Sequence, residues 1–223
     1  MCRYLLINIL TVLFPVFLSF EGKIAFYRKF KFYLFSILTV SPVYLVWDSI
    51  ATGRGDWGFN PVYLTGIYGI GLPLEEILFF VTVPFSCIFI YETIKLYIPE
   101  KELPFKKEWY YAAAALLIIA AGKWSDQYYT STVLIFSAAF LIIAASFKPV
   151  ILRSRVYWLS IAVTYVPFLV VNFFLTEPPI VWYSPQAIWG PRFLTIPLED
   201  FFYSFSMISW WFFFYLFYKK DIW

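Results

Sequence analysis

Two short acidic phrases, 124 residues apart, are the residues of this chain best suited to chemistry. Gly66–Phe80 reads GIYGIGLPLEEILFF and Gly190–Tyr203 reads GPRFLTIPLEDFFY. In each, a glycine stands seven residues before a proline, and the proline opens P-L-E-(E/D) ahead of an aromatic and aliphatic run. The offset lays Pro73 on Pro197, Glu75 on Glu199 and Glu76 on Asp200, and it also lays Asp48 on Asn172. Ionisable groups at the mouth of an apolar helix are expensive to keep, so a duplicated pair points to a working site.

Each proline suits a first helical position, and the acid after it then falls in the first turn, near the positive end of the helix dipole. A plain reading is a pair of N-terminal caps. The recurrence in register favours a shared pocket instead, with both repeats contributing acids. Neighbouring acids on a helix diverge by about 100°, so one of each pair is expected to face the pocket and the other a neighbouring helix or loop. Like charges stripped of water cannot all ionise, so one carboxyl is expected to hold a proton beside a carboxylate base. The helix dipole, worth roughly 0.3–1 kcal/mol, does not reverse several kcal/mol of burial cost. Phe79, Phe80, Phe201, Phe202 and Tyr203 surround the acids. Their ring faces can stabilise a developing cation by roughly 0.5–2 kcal/mol each when desolvated. Acid, base and aromatic lining suggest protonation of an alkene and management of the carbocation.

The composition narrows the class. Of 223 residues, 62% are hydrophobic, 25% aromatic and only 14% charged, a profile that identifies a polytopic membrane protein. Histidine is absent, which removes His-ligated haem, His-box di-iron sites and most zinc enzymes. Cys2 and Cys87 imply no disulfide framework, the Gly66–Gly69–Gly71 spacing is not a dinucleotide fingerprint, and no D-D-x-x-D motif offers magnesium to a prenyl diphosphate. No metal site, cofactor or nucleic-acid partner is expected.

Apolar runs at about 1–20, 32–49, 74–97, 109–122, 128–147, 156–175 and 198–218 predict an all-α protein of about seven transmembrane helices, the fourth of them short. The first run resembles a signal peptide, but no A-x-A-like cleavage site follows it and the offset pairs it with the fifth. The repeat pairs the first three runs with the last three and leaves the fourth unmatched. One linking helix restores the orientation of a second three-helix unit, so the expected architecture is 3+1+3 with parallel repeats about an axis along the membrane normal. The divisions are residues 1–98, a linker with the fourth helix at 99–127, and residues 128–223. Asp48 and Asn172 are expected to end the second and sixth runs at the level of the acids. The aromatic-rich loops 50–72 and 176–196 fit an interfacial belt or a cover over the cavity mouth.

P-L-E-E at Pro73–Glu76 and P-L-E-D at Pro197–Asp200 resemble the P-x-E-(E/D) signatures of the small, flavin-independent lycopene β-cyclases, which occur as paired three-helix polypeptides or as fused chains with a linking helix. The likeness spans the chain, including Trp47–Asp48. It implies redox-neutral cyclisation of lycopene's ψ-ends, or those of a related acyclic carotene, to β-ionone rings without a cofactor. A carboxylic acid would protonate C2, the C5–C6 alkene would attack C1, and a carboxylate would remove the C6 proton. Glu75 and Glu199 are the expected acid and base, supported by Glu76 and Asp200. Phe79, Phe80, Phe202, Tyr203, Asp48 and Asn172 are expected to contact substrate. The halves are not equivalent: Asn172 replaces Asp48, and the Gly53–Gly58 stretch has no sequence counterpart. Association with lipid, with other carotenoid enzymes or with a second copy fits a membrane enzyme of this kind.

Other classes fit less well. Small sugar carriers share the parallel three-helix plan, and Pro15, Pro42, Pro84 and Pro167 could serve as hinges, but the helix middles offer few polar groups to a hydrophilic substrate. A retinal protein needs a lysine inside the last helix, and 198–218 has none. A hydratase acting through the same cation would need a held water. Of the 17 basic residues, all but Arg3, Arg54, Lys123 and Arg192 fall in the first, third and fifth connections and the C-terminal segment. The positive-inside rule then places the N-terminus and the acidic phrases outside the cell membrane and the C-terminus in the cytoplasm. Cysteines at Gly55 and Pro185 should therefore react with an impermeant thiol reagent added outside, and a cysteine at Lys106 should not. The opposite pattern would invert this topology.

Overall fold

The computed structural model describes residues 2–220. It is built from seven long helices, α1 (Arg3–Leu18), α2 (Phe30–Arg54), α3 (Leu74–Tyr97), α4 (Lys107–Lys123), α5 (Tyr128–Phe147), α7 (Arg155–Thr176) and α8 (Glu199–Lys219), with a five-residue helix, α6 (Pro149–Arg153), before α7. Five of them are long and apolar enough to cross a membrane: α2 with the 3₁₀ turn before it, α3, α5, α7 and α8. α1 is a shorter apolar helix of 16 residues. On α1, Tyr4 and Asn8 are buried while Leu10, Phe14 and Phe17 are exposed. Polar groups inward and large apolar groups outward is the arrangement a hydrocarbon solvent favours. The architecture is the expected polytopic, all-α one with two three-helix repeats. α8 is its most buried span, followed by α3 and α5.

α4 is the unmatched helix. Only Ala114 and Ala121 on it are buried, and it packs on α5, where Ala138 and Ala145 are buried at the same seven-residue interval. Small side chains let two backbones approach closely without bulky interdigitation.

The loops carry six short strands that apolar runs do not announce, and one pair of them joins the repeats. β1 (Trp57–Phe59) pairs antiparallel with β4 (Val181–Tyr183), in the register Trp57 to Tyr183, Gly58 to Trp182 and Phe59 to Val181. That register is symmetric about the Gly58–Trp182 pair, whose members are themselves 124 residues apart. The first loop therefore does have a counterpart in space. Each repeat also forms a small hairpin before its acids: β2 (Tyr68–Gly69) with β3 (Leu72–Pro73), and β5 (Arg192–Phe193) with β6 (Ile196–Pro197). Pro73 and Pro197 thus close a hairpin rather than open the helix. The turn Ile70–Gly71 has positive φ at both positions, and the equivalent Leu194 also has positive φ, 55°. These are mirror-image turns that suit the twist of a two-residue hairpin.

Two further expectations are corrected. α2 runs on to Arg54 and ends on Gly55 in the left-handed region, φ 85°, so Asp48 lies inside the helix rather than at its end. Asn172 likewise sits within α7, which continues to Thr176. The other end of the bundle is clamped by buried Glu92 of α3. Lys29 Nζ lies 2.5 Å from it, Lys219 Nζ 2.7 Å, and Tyr215 donates its hydroxyl at 2.7 Å.

The strand pair at the repeat axis makes a measurable demand. A Cβ on Gly58 would lie 2.4 Å from the Trp182 ring. Gly58→Ala is expected to cost about 1–3 kcal/mol through overpacking, read as a lower thermal midpoint of the purified protein. In a Trp182→Ala background the same change should cost under about 0.5 kcal/mol, since the colliding ring is gone.

Candidate active site

The acids of the two phrases divide as the 100° step between neighbours requires, and the division is the same in both repeats. Glu75 accepts the backbone N–H of Thr65 at 2.6 Å, and Glu199 accepts the backbone N–H of Trp189, the residue at the equivalent position. Thr130 Oγ1 also donates to Glu199, at 2.7 Å. These two acids fasten the loops to the helix starts. Their other oxygens, Oε2 in each, are buried without a hydrogen-bond partner. Neither Glu75 nor Glu199, the expected acid and base, lines the cleft described below.

Glu76 and Asp200 do line it, together with Asp48. The cleft lies between α1 and α3 on one side and α7 and α8 on the other, with a volume of about 100 Å³. Its only charged lining groups, among the described residues, are those three carboxyls. Tyr4 donates its hydroxyl to Glu76 at 2.5 Å. Tyr129 donates to Asp200 at 2.6 Å, and Tyr183 donates to the other oxygen of Asp200 at 3.0 Å. Tyr4 and Tyr129 play matching parts on α1 and α5, but they are 125 residues apart. The connection between α1 and α2 therefore differs by one residue from that between α5 and α7, and a constant 124-residue offset misses the pair. Tyr183 lies in the loop strand β4. Burial, with the Asp200 carboxyl beside it, pushes its phenol well above the usual range, so it remains a donor.

The two sides differ in how their charge is met. Asp200 receives two phenolic hydrogen bonds, and Arg192 stands beyond Tyr183, its guanidinium 5.8 Å from that ring. Glu76 receives one, and a second carboxyl, that of Asp48, lines the cleft with it, its Oδ2 buried without a hydrogen-bond partner among the described residues. Asp48 accepts the indole N–H of Trp57 at 2.8 Å and the Thr52 hydroxyl at 3.5 Å. The second repeat keeps Thr176 at the position of Thr52, but Val181 stands at the position of Trp57, and Asn172 donates its amide to the Phe168 carbonyl of its own helix at 3.0 Å. Two carboxyls buried in one apolar cleft oppose each other's ionisation, whereas two O–H donors on one carboxyl favour its charged form.

Of the remaining expected substrate contacts, Phe79, Tyr203 and Asn172 line the cleft. Phe80 does not: it is fully buried behind it, packed on Tyr44 and Trp211. Phe202 is also outside the lining. Tyr4 and Tyr129, which sequence reasoning passed over, also line it, as do Trp57, Phe59 and Tyr183 of the aromatic-rich loops expected to form a belt or a cover over the mouth. Only their placement beside carboxyls separates them from the chain's many other aromatics.

A family model described as lycopene cyclase matches residues 3–94 and 126–218, one stretch for each repeat, with α4 outside both. No curated protein and no solved structure matches the chain.

Proposed function

Because the chain belongs to the lycopene cyclase family, we propose that it closes the ψ-ends of lycopene to β-ionone rings, with the Asp48–Glu76 pair as proton donor and Asp200 as proton acceptor. The observation that carries this reading is three carboxyls at the head of an otherwise uncharged, apolar cleft, one pair sharing a site and the third held by two tyrosines.

The steps follow from that arrangement. The carboxyl pair delivers its proton to C2 of the terminal alkene and gains one negative charge; its starting state is restored when the proton later taken up by Asp200 returns to it. The C5–C6 electrons close the bond to C1, and the cation moves to C5. Asp200 takes the C6 proton, whose bonding electrons form the C5–C6 double bond of the ring. One proton is added and one lost, so substrate and product are isomers, and an intramolecular lyase class fits. Phe79 and Tyr203, at equivalent positions of the two repeats, present ring faces to the cation, worth roughly 0.5–2 kcal/mol each. Tyr4, Tyr129, Tyr183 and Trp57 hold the carboxyls at fixed positions, so little reorganisation is needed as charge moves. The reading also places the protein in the cell membrane with the acid end outside, as the basic residues suggest. It requires no cofactor.

Conservative substitutions separate the two kinds of acid. Glu76→Gln and Asp200→Asn are each expected to lower turnover about 10²–10⁴-fold, the usual effect of losing a general acid or base. Glu75→Gln, whose amide oxygen can still accept the Thr65 N–H, should stay within about tenfold of the parent. Pigment analysis of lycopene-accumulating cells expressing each variant reads this directly. Strong loss in Glu75→Gln with near-parental Glu76→Gln would restore the opposite assignment.

The proton itself can be followed. In deuterium oxide each new ring should gain one deuterium, at C2, by mass spectrometry and NMR of the carotene. Rings carrying only hydrogen at C2 would count against a solvent-exchangeable carboxyl donor.

A further inference from the structure

The repeats create two related clefts, and the structure makes them unequal. The first descends from the carboxyls along α3, α7 and α8, lined in turn by Phe79, Val83, Ser86 and Ile90 of α3. From Glu76 to Ile90 is fourteen residues, about 21 Å of helix. The second lies between α2, α5 and α8, which the repeat relates to α7, α1 and α3. It is apolar and roomier, at about 550 Å³, but no carboxyl lines it.

Side-chain size at matching positions explains why the second cleft stops short. Phe136 stands where the first cleft has Thr11, in the register set by Tyr4 and Tyr129, and Trp47 stands where it has Val171. These two rings stack at 5.1 Å, and Tyr44 meets Phe136 at 5.3 Å while Tyr203 meets Trp47 at 5.2 Å. The result is an aromatic wall between the second cleft and the acids. Lower down, Trp210 occupies the position of Ser86.

Resting on the cyclase reading, we infer that the polyene chain of the substrate lies only in the α3–α7–α8 cleft, and that Trp47 and Phe136 deny the repeat-related cleft any route to the carboxyls. The site then takes one end group at a time, with the rest of the chain running toward Ile90. At about 100 Å³ the cleft admits only part of such a chain as it stands. The wall that yields is α7, the least buried of the five spans, which also carries Pro167 in the lining. A proline there removes one backbone hydrogen bond and lets the helix bend.

The test fills one cleft at a time, far from the acids. Ser86→Trp introduces the residue that the other repeat already carries, and Ile90→Trp does the same job four residues lower. Ala139→Trp fills the second cleft instead. In lycopene-containing membranes, Ser86→Trp and Ile90→Trp should each reduce ring formation at least about tenfold, with Ala139→Trp within about twofold of the parent. A short acyclic isoprenoid with the same ψ-end, too short to reach residue 86, should still be cyclised by both blocked variants, which separates blockage from misfolding. If one of the two fails to insert, the other decides. Undiminished lycopene conversion in Ser86→Trp or Ile90→Trp, or equal loss in Ala139→Trp, would overturn the assignment. A parent protein that forms no ring from lycopene would instead sink the cyclase reading itself.

Discussion

Burying carboxyl groups in an apolar bundle without a cation in their midst is the constraint on which the rest of this structure depends. An isolated carboxylate moved out of water costs several kcal/mol even after relaxation. Around Asp48, Glu76 and Asp200 that cost is met by hydroxyl and indole donors from α1, α5 and the loop strands, each contributing on the order of 1.5–3 kcal/mol as a bond to a charged group. The donors come from both repeats and from the paired loops, so the site cannot form until the loops have docked. Glu75 and Glu199 secure that docking by accepting backbone N–H groups of the segments that carry the strands.

The opposite end of the bundle solves the same problem differently. Glu92 is as deeply buried as the cleft acids, yet two lysines and a tyrosine converge on it. A carboxylate neutralised in that way is a poor proton carrier and a good clamp, and it ties α3 to the start of α2 and the end of α8. The contrast shows why buried acidity alone does not identify reactive residues. What matters is whether the charge is already matched by a cation.

Duplication supplied two helix starts, two hairpins and two grooves, and divergence then assigned them different tasks. Asp48 with Trp57 in one half faces Asn172 with Val181 in the other, so only one side can hold a carboxyl pair. Trp47, Phe136 and Trp210 stand on one groove where Val171, Thr11 and Ser86 stand on the other. A pseudo-symmetric frame thus holds an asymmetric site, as the proposed one-way proton transfer requires, since donor and acceptor must differ.

The chain by itself determined the membrane setting, the 3+1+3 plan and the acidic phrases, because these depend on local quantities. Apolar run length measures a helix against a bilayer, and a 124-residue self-match needs no coordinates. The predicted run 74–97 coincides with α3, and 128–147 coincides with α5. Which member of each acidic pair meets the cleft was decided only by tertiary structure. Adjacent residues share composition and helix position, and a 100° rotation separates a scaffold acid such as Glu75 from a cleft acid such as Glu76. The same holds for Tyr4 and Tyr129, hidden by a one-residue change in connection length, and for the β1–β4 pair, whose three-residue strands bury too little to leave a periodic signal. Their partners lie more than a hundred residues away, and only the packing of one repeat against the other brings them together.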